Sequence, residues 1–273
     1  MTPSGIITLT TDFGLADNYV AQLHGVILTA FPTARIVDIS HEVPPGHIDS
    51  ALFLTETAWP HFPAGTVHLV IVDPGVGSDR RIIAVQGASA WFVGPDNGVL
   101  SSAVPELDRP EQDAAMAPIS PSHTAIEITQ TRVRSNPPAP TFQGRDIMAP
   151  VAAHLARGEP FASLGDPLPE IRLCPPLAAT EGTGRIIHID HFGNAITNFR
   201  SSDTGTQVRF IATTGWRDEI AIEQGTPTYA SSPPDQAAII PSSSGYLEIA
   251  WPNGDAAERL GLRLDDPVRL LPK

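Results

Sequence analysis

The sequence is short of cysteine, of lysine and of charged residues in general, and each shortage excludes a class of protein. Cys174 is the only cysteine, so the chain can form neither an internal disulfide nor a cysteine-based zinc site. Lys273 is the only lysine among 17 basic residues, and 30 acidic residues bring the net charge to −13. Such a surface repels phosphate backbones and favours cationic ligands, which argues against a nucleic-acid partner.

Long apolar runs are also missing from the 273 residues. No stretch approaches the roughly 18 consecutive apolar residues that a membrane-spanning helix needs. The segment 1–5 carries neither the basic start nor the apolar run of a secretion signal, so we expect a cytoplasmic protein without a membrane partner. Hydrophobic residues still make up 41% of the chain, which is enough to build a core.

The first 165 residues alternate between strand and helix patterns, which predicts an α/β N-terminal domain with a mostly parallel sheet. The predicted strands cover residues 6–10, 34–39, 67–72, 82–85 and 91–93. The predicted helices cover residues 19–31, 47–58 and 147–155. The strand over 67–72 is almost continuously apolar, as expected where helices cover both faces of a sheet.

The composition changes after residue 165. Prolines and glycines are frequent over 166–183, which predicts a linker. Short strand patterns separated by glycine, proline and serine then predict a smaller all-β barrel or sandwich domain over 184–273. These predicted strands cover residues 185–189, 207–213, 219–222, 245–250 and 267–271.

The first candidate site is Thr-Thr-Asp-Phe-Gly at 10–14, directly after the first predicted strand. Ligands of open α/β sheets bind beyond the carboxyl ends of the strands, so Asp12 is well placed for function. Its two carboxylate oxygens can accept hydrogen bonds from both hydroxyls of a ribose. The structural alternative is that Asp12 or Asp17 caps the helix that follows.

The second candidate site is Val-Asp-Pro-Gly-Val-Gly-Ser-Asp-Arg at 72–80, after the third predicted strand. Its glycines allow a close approach of the backbone to a ligand, but the segment matches neither a Walker loop nor the dinucleotide motif. Asp73 and Arg80 either form an exposed ion pair across a tight turn or meet inside a pocket.

Three further polar segments have a structural interpretation beside a functional one. Asp146, in Thr-Phe-Gln-Gly-Arg-Asp at 141–146, favours a helix N-terminus. Gly193-Asn194 is typical of a hairpin turn, and the serines at 242–244 are typical of a loop that leads into a strand.

Two kinds of chemistry find little support in the residues. His41, His47 and Asp49 match no compact spacing of metal ligands, so the sequence predicts no metal site. The Gly-x-Ser-x-Gly motif is missing, which argues against a serine hydrolase.

Taken together and in this order, the segments resemble the S-adenosylmethionine (SAM) hydroxide adenosyltransferase family, the SAM hydrolases related to fluorinase and chlorinase enzymes. The resemblance covers essentially the whole chain. It rests on the segments 10–14, 72–77, 94–98 (Gly-Pro-Asp-Asn-Gly), 144–146, 190–194 (Asp-His-Phe-Gly-Asn) and 244–250 (Ser-Gly-Tyr-Leu-Glu-Ile-Ala).

The resemblance implies a set of substrate-binding residues. Asp12 would hold the ribose diol, Asp190 the methionine ammonium, and Asn194 the edge of the adenine. Ser243 and Ser244 would lie beside the methionine carboxylate. The other residues assigned to the substrate are Asp17, Phe142, and Trp251 and Asn253 at the adenine.

The resemblance also implies the reaction, in which water attacks C5′ of SAM and releases adenosine and methionine. The family's hydrolytic triad is Asp, Arg and His. Asp73 and Arg80 match its first two members, and Gln143 stands in the place of the histidine. Two alternatives are a SAM-binding protein with little or no turnover and a halide-dependent adenosyl transferase. The resemblance implies no cofactor beyond the substrate, and a homotrimer whose sites lie between subunits.

Overall fold

The computed structural model describes residues 1–111, 114–134, 137–180, 182–203, 208–213, 219–222 and 225–272. The chain divides into two compact units, Met1–Pro176 and Leu177–Lys273. None of the helices in the described part of the chain is both long enough and apolar enough to cross a membrane.

The first unit contains nine strands and three α-helices in its described residues. The helices are α1 (Tyr19–Ala30), α2 (Ile48–Ala58) and α3 (Ala149–Ala156), and a π-helical turn over Gly144–Met148 leads into α3. The strands are β1 (Ile6–Thr11), β2 (Arg35–Ser40), β3 (Thr66–Ile71), β4 (Ile82–Gln86), β5 (Ala90–Pro95), β6 (Ala115–Pro118), β7 (Thr124–Glu127), β8 (Asp166–Leu168) and β9 (Glu170–Leu173).

The main sheet of the first unit is mixed, with the strand order β2-β1-β3-β5-β4-β7-β8. Neighbours from β2 to β5 pair in parallel, as predicted, but the pairs β5–β4, β4–β7 and β7–β8 are antiparallel. The prediction of a mostly parallel sheet is therefore right for only half of it. Only three residues, 87–89, separate β4 from β5, too few for the crossover that a parallel pair needs.

Both faces of the parallel half of the sheet are buried, because alternate side chains of β3 pack into two different cores. Leu69 and Ile71 pack into the core that contains residues of α1 and α3, and Val70 packs into the core that contains Ala51 of α2. Since each face needs its own apolar residues, the strand is apolar at almost every position. The prediction of helices on both sides of this strand is confirmed.

The segment 166–183 differs from the predicted linker. It contains β8, which pairs with β7 at the edge of the main sheet, and β9, which pairs with β6 in a two-stranded sheet. Pro167 lies within β8. An edge strand tolerates proline because the outer side of the strand needs no N–H donor, so the prolines here do not exclude a strand.

The second unit contains a seven-stranded antiparallel sheet with the order β13-β12-β16-β10-β11-β15-β14. Gly225, just after β13, forms a bridge to Ile239 of β14, so the two edges approach each other and the sheet is a nearly closed barrel. The strands are β10 (Thr183–Ile189), β11 (Ala195–Arg200), β12 (Val208–Thr213), β13 (Glu219–Ile222), β14 (Ala238–Pro241), β15 (Tyr246–Ala250) and β16 (Pro267–Pro272). The short helix α4 covers Ala256–Leu260.

The all-β prediction for the second unit is confirmed, although the sequence pattern does not predict β11, β14 or α4. Ile186, Phe199, Leu247, Ile249 and Val268 form much of the barrel core. Gln207, the first residue of one predicted strand, lies outside the described residues.

Candidate active site

Parallel pairing brings two of the predicted carboxylates to one edge of the sheet. Thr11, the last residue of β1, pairs with Ile71, the last residue of β3. Asp12 follows the first strand directly, and Asp73 lies two residues beyond the second. Because both strands point the same way, both side chains lie at the carboxyl edge of the sheet, where α/β proteins bind their ligands.

Asp12 is held by the loop before α2. The backbone N–H of Gly46 donates a hydrogen bond of 2.9 Å to Asp12 Oδ2. Partial burial raises the pKa of Asp12, the hydrogen bonds from Gly46 and from its own backbone oppose this, and the nearby charge of Asp73 adds a smaller increase. The N-cap of α1 is Asn18, so neither Asp12 nor the exposed Asp17 occupies that position.

Asp73, Arg80 and Gln143 form one hydrogen-bonded cluster. Arg80 Nε donates to Asp73 Oδ1 at 2.6 Å, and Arg80 Nη2 donates to both Asp73 Oδ2 and Gln143 Oε1. The side chains of Arg80 and Asp73 are only 9% and 6% exposed. The ion pair therefore lies in a pocket, and the alternative of an exposed pair across a turn is wrong.

The contact with Arg80 determines which way the Gln143 amide points. A guanidinium has only N–H donors, so the atom of Gln143 that it contacts must be the carbonyl oxygen. The amide NH2 group is then left for other partners, and Asp73 keeps lone pairs that Arg80 does not use. A water molecule bound between the two can donate to Asp73 and accept from Gln143.

Gly144, the residue after Gln143, packs closely against Ile71 and Phe13. A Cβ atom at Gly144 would lie 3.1 Å from Ile71 Cδ1 and 3.6 Å from Phe13 Cζ. The first distance is shorter than an ordinary van der Waals contact, and the second is an ordinary one. The following residues form the π-helical turn over Gly144–Met148, a rare element that is frequent at functional sites. The sequence gives no sign of this turn, whose last two residues fall in a segment predicted as an ordinary helix.

The cluster lies at a cavity of about 490 Å³ in the first unit. Predicted residues Asp12, Asp73, Phe142 and Gln143 line it, and so does the motif residue Arg145. Phe13, Tyr19 and Phe142 contact one another edge to face, with ring centres 5.4 to 6.0 Å apart. Sequence reasoning missed the roles of Phe13 and Tyr19, because an aromatic residue beside a core pattern is indistinguishable from a core residue.

Arg145 and Asp146 brace the wall of this cavity. Arg145 donates to both carboxylate oxygens of Asp146, at 2.7 and 2.9 Å, and to Gln22 Oε1 at 2.8 Å. The hydrogen bond to Asp146 raises the pKa of the Arg145 guanidinium. Asp146 also accepts a hydrogen bond from the Ala139 N–H. The pair thus joins the loop over 137–141 to the π-helical turn.

A second cavity, of about 720 Å³, lies in the second unit. Three of its lining residues, Asn194, Trp251 and Asn253, were predicted to bind the substrate. Phe192 and Tyr229 also line it, and both side chains are unusually exposed for aromatic residues, at 72% and 49%. Phe192 belongs to the motif at 190–194, but no sequence pattern points to Tyr229.

Asp190 organises the loop that carries Asn194. Its Oδ1 accepts hydrogen bonds from the N–H groups of Phe192 and Asn194, and its Oδ2 accepts one from Asn194 Nδ2, all at 2.9 Å. The loop joins β10 to β11, so the hairpin interpretation of Gly193-Asn194 is confirmed. The same residues also line or adjoin the cavity, so the hairpin and a binding role are compatible.

The serine loop joins β14 to β15 and leads to a buried carboxyl group. Ser244 Oγ and Ser242 Oγ are 3.1 Å apart, and Ser243 is exposed. Glu248 of β15 is only 2% exposed and accepts a hydrogen bond from Tyr229. Burial, with a smaller contribution from Asp190, raises the pKa of Glu248. This carboxyl group was not predicted to be part of the site.

His41, His47 and Asp49, considered together as metal ligands from the sequence, do not form one cluster in the structure. His47 is the N-cap of α2, and its Nδ1 accepts a hydrogen bond from the Ser50 N–H. Asp49 lies in the first turn of the same helix. His41 instead lies close to His24 and Asp38.

An α/β unit with a buried polar cluster beside a cavity, at the carboxyl edge of its parallel strands, is the arrangement of an enzyme that acts on a small molecule. The family model for the SAM hydroxide adenosyltransferase N-terminal domain matches residues 7–165, and the model for the C-terminal domain matches residues 184–269. The chain belongs to this family.

Curated relatives cover almost the whole chain. The chain is 36% identical over 276 residues to an (R)-S-adenosyl-L-methionine hydrolase of Salinispora tropica, with 99% of each chain covered. It is 38% identical to a protein of the same name from Thermus thermophilus, over 96% of this chain and 97% of the relative. A fluorinase of Nocardia brasiliensis is more distant, at 28% identity over 90% and 89% of the two chains.

A solved structure shares the fold. The crystal structure of an uncharacterized conserved protein from Thermotoga maritima matches with a TM-score of 0.84 and 32% sequence identity. The match covers 97% of this chain and 100% of that one.

Proposed function

We propose that the protein hydrolyses SAM to adenosine and L-methionine. The observation that carries the proposal is the buried cluster of Asp73, Arg80 and Gln143 at a cavity, in a chain whose relatives at 36% and 38% identity are named SAM hydrolases. The oxygen of water forms a bond to C5′ while the bond from C5′ to sulfur breaks. The electron pair of that bond stays on sulfur, and the proton of the water is lost to a base.

The chemistry of the substrate sets what the site must supply. The sulfonium leaves as a neutral thioether, so the reaction needs no general acid. It needs a water molecule aligned with the bond that breaks and a group that accepts the proton of that water. A cavity that excludes bulk water helps, because the charge of a hydroxide and that of the sulfonium cancel in the transition state.

The polar cluster meets these needs with a division of roles. Asp73 accepts a hydrogen bond from the water and takes its proton. Arg80 fixes the Asp73 carboxylate with two hydrogen bonds, so the base points one way. Gln143 donates from its amide NH2 group to the water oxygen and positions it, but an amide cannot accept the proton at neutral pH.

The substrate-binding roles are divided between the two units, and five of the assigned residues line their cavities: Asp12, Phe142, Asn194, Trp251 and Asn253. Asp12 holds the ribose diol, with Asp17 and Phe142 contributing to the same half of the substrate site. Asp190, Asn194, Ser243, Ser244, Trp251 and Asn253 hold the adenine and the methionine. The negative charge of Asp190 suits the positive ammonium of methionine.

Asp12→Ala should weaken SAM binding by about tenfold to hundredfold, since a hydrogen bond to a charged group contributes roughly 1.5–3 kcal/mol. Turnover at saturating SAM should fall far less, because Asp12 holds the ribose and does not touch the water. Calorimetric titration with SAM measures the effect. Glu42→Ala, which removes an exposed carboxylate from the same unit, is the matched control. Equal affinity in the Asp12 variant and the control would contradict the assignment.

We further propose a homotrimer in which each substrate site combines the first unit of one copy with the second unit of a neighbour. Asp12→Ala and Asn194→Ala damage different halves of such a site. Co-expression of the two variants should restore normal SAM affinity at about a quarter of the sites, where both halves are intact. Mixed protein with no high-affinity sites would show that each site is built from a single chain.

Chromatography of a SAM reaction distinguishes hydrolysis from the alternatives. We expect adenosine and methionine in equal amounts, at rates that do not depend on added chloride. A chlorinated nucleoside would identify a halide-dependent transferase. SAM that is bound but unchanged would identify a binding protein.

A further inference from the structure

Two histidines and one aspartate come together in the first unit, and none of the three lines its cavity. His24 belongs to α1, Asp38 to β2, and His41 follows β2 directly. Asp38 Oδ1 lies 2.9 Å from His24 Nε2 and 3.2 Å from His41 Nε2. The ligand atoms of the three side chains all lie within 4.8 Å of one another.

The two distances from Asp38 Oδ1 suit a tetrahedral metal ion. Zinc binds histidine nitrogen at about 2.0–2.1 Å and carboxylate oxygen at about 2.0–2.2 Å, so neighbouring ligand atoms in a tetrahedral site are about 3.3 Å apart. The two separations from Asp38 Oδ1 are close to that value. Two imidazoles and one carboxylate leave the fourth position to water, a common ligand set for zinc and its neighbours in the first transition row.

His41 is already arranged as a ligand. Its side chain is only 3% exposed, and its Nδ1 lies 2.8 Å from Thr11 Oγ1. Metal-binding histidines usually hold their second nitrogen in such a bond, which orients the ring. With the proton on Nδ1, the lone pair of Nε2 faces the Asp38 carboxylate, and the two groups repel each other. A cation bound between the two atoms is attracted to both and removes this repulsion.

Hydrogen bonds among the three side chains, without a metal ion, would account for His24 and Asp38 but not for His41. His24 Nε2 and Asp38 Oδ1 form an ordinary hydrogen bond at 2.9 Å, which accounts for His24. The buried Nε2 of His41, by contrast, lies 3.2 Å from the same Asp38 oxygen without forming a hydrogen bond to it or to any other described residue. A buried polar atom without a partner is costly and calls for an explanation.

We propose that His24, Asp38 and His41 form a binding site for a divalent transition-metal ion, with zinc the best match. The exposed sides of His24 and Asp38 give the ion access from solvent. The backbone carbonyl of His41 accepts a hydrogen bond of 2.8 Å from the Gly14 N–H, and Thr11 directly precedes Asp12. A bound ion therefore braces the loop that carries Asp12. The site stands independently of the proposed reaction.

Metal titration of the full chain, without a histidine tag and after treatment with a chelator, tests the site. We expect about one Zn²⁺ bound per chain by calorimetry, and Co²⁺ in its place should show the visible absorption of a tetrahedral ion. His24→Ala removes a ligand at a partly exposed position and should weaken Zn²⁺ binding at least about tenfold. His61→Ala removes an exposed histidine elsewhere in the same unit and should leave Zn²⁺ binding unchanged.

Thermal unfolding gives a second readout that does not depend on activity. Zn²⁺ should raise the unfolding temperature of the parent chain and of His61→Ala, because an ion that binds only the folded state stabilises it. It should raise that of His24→Ala much less. Failure of the parent chain to bind either Zn²⁺ or Co²⁺ saturably, or equal affinity in His24→Ala and His61→Ala, would overturn the proposal.

Discussion

Asp73→Asn should lower the turnover of SAM by about 10²–10⁴-fold, the usual contribution of a positioned acid or base and equivalent to about 3–5 kcal/mol. The asparagine side chain has nearly the same shape, but it cannot take a proton from water at neutral pH. SAM affinity should change little, since the role proposed for Asp73 is to contact the water and not the substrate. Single-turnover kinetics together with calorimetric titration separates the two effects.

The ion pair with Arg80 requires a control for folding. Loss of one partner of a buried pair leaves an uncompensated charge and can destabilise a protein by about 3–5 kcal/mol. The unfolding temperature of Asp73→Asn should therefore be measured beside its turnover. Asp79→Asn changes an exposed carboxylate of the same loop and should behave like the parent chain. A folded Asp73→Asn protein with normal turnover would show that Asp73 does not activate the water.

Gln143→His should raise turnover by about 10²-fold, the lower end of the range for general-base catalysis. Arg80 already holds both oxygens of Asp73, so it does not depend on residue 143 for its own pairing. The imidazole is then free to turn a lone pair toward the water, which the amide of Gln143 cannot do. SAM affinity should stay nearly the same, because the replacement is polar and of similar reach.

The pH dependence of this gain identifies its cause. Imidazole has an ordinary pKa near 6.5, and only its neutral form accepts a proton. The gain should therefore be complete above this pKa and fade as the pH falls through it. Gln22→His places an imidazole elsewhere on the cavity wall and should give no gain. Unchanged or lower turnover in Gln143→His at every pH from about 6 to 9 would show that Gln143 belongs to a site in which Asp73 is the only base.

Periodicity and strand direction are enough to predict the part of the fold that positions Asp12 and Asp73. Both residues follow apolar strands, and parallel strands end at the same edge of a sheet, so the amino-acid pattern predicts that both lie at that edge. Their strands prove to be neighbours. The antiparallel half of the sheet cannot be predicted in the same way. Strand β8 of that half has only three residues, one of them a proline, and so has no clear apolar pattern. Strand β6 of the separate two-stranded sheet is largely exposed and has none either.

The assembly of the polar cluster depends on packing that no local pattern contains. Arg80 and Gln143 are 63 residues apart, and the glycine after Gln143 packs closely against Ile71. Family resemblance indicates that residue 143 belongs with Asp73 and Arg80, but the orientation of its amide follows only from the contact with Arg80. The cluster of His24, Asp38 and His41 escapes sequence reasoning for the same reason, since it joins a helix to a neighbouring strand.

Hydrolysis of SAM in water enriched with ¹⁸O tests the central claim most directly, because it locates the bond that water forms. Attack on C5′ places one ¹⁸O atom in the 5′-hydroxyl of adenosine and none in methionine, and mass spectrometry of the two products reads this out. We expect labelled adenosine from the parent chain and much slower formation of it by Asp73→Asn. Unlabelled adenosine in a single turnover, or labelled homoserine formed together with methylthioadenosine, would contradict this mechanism.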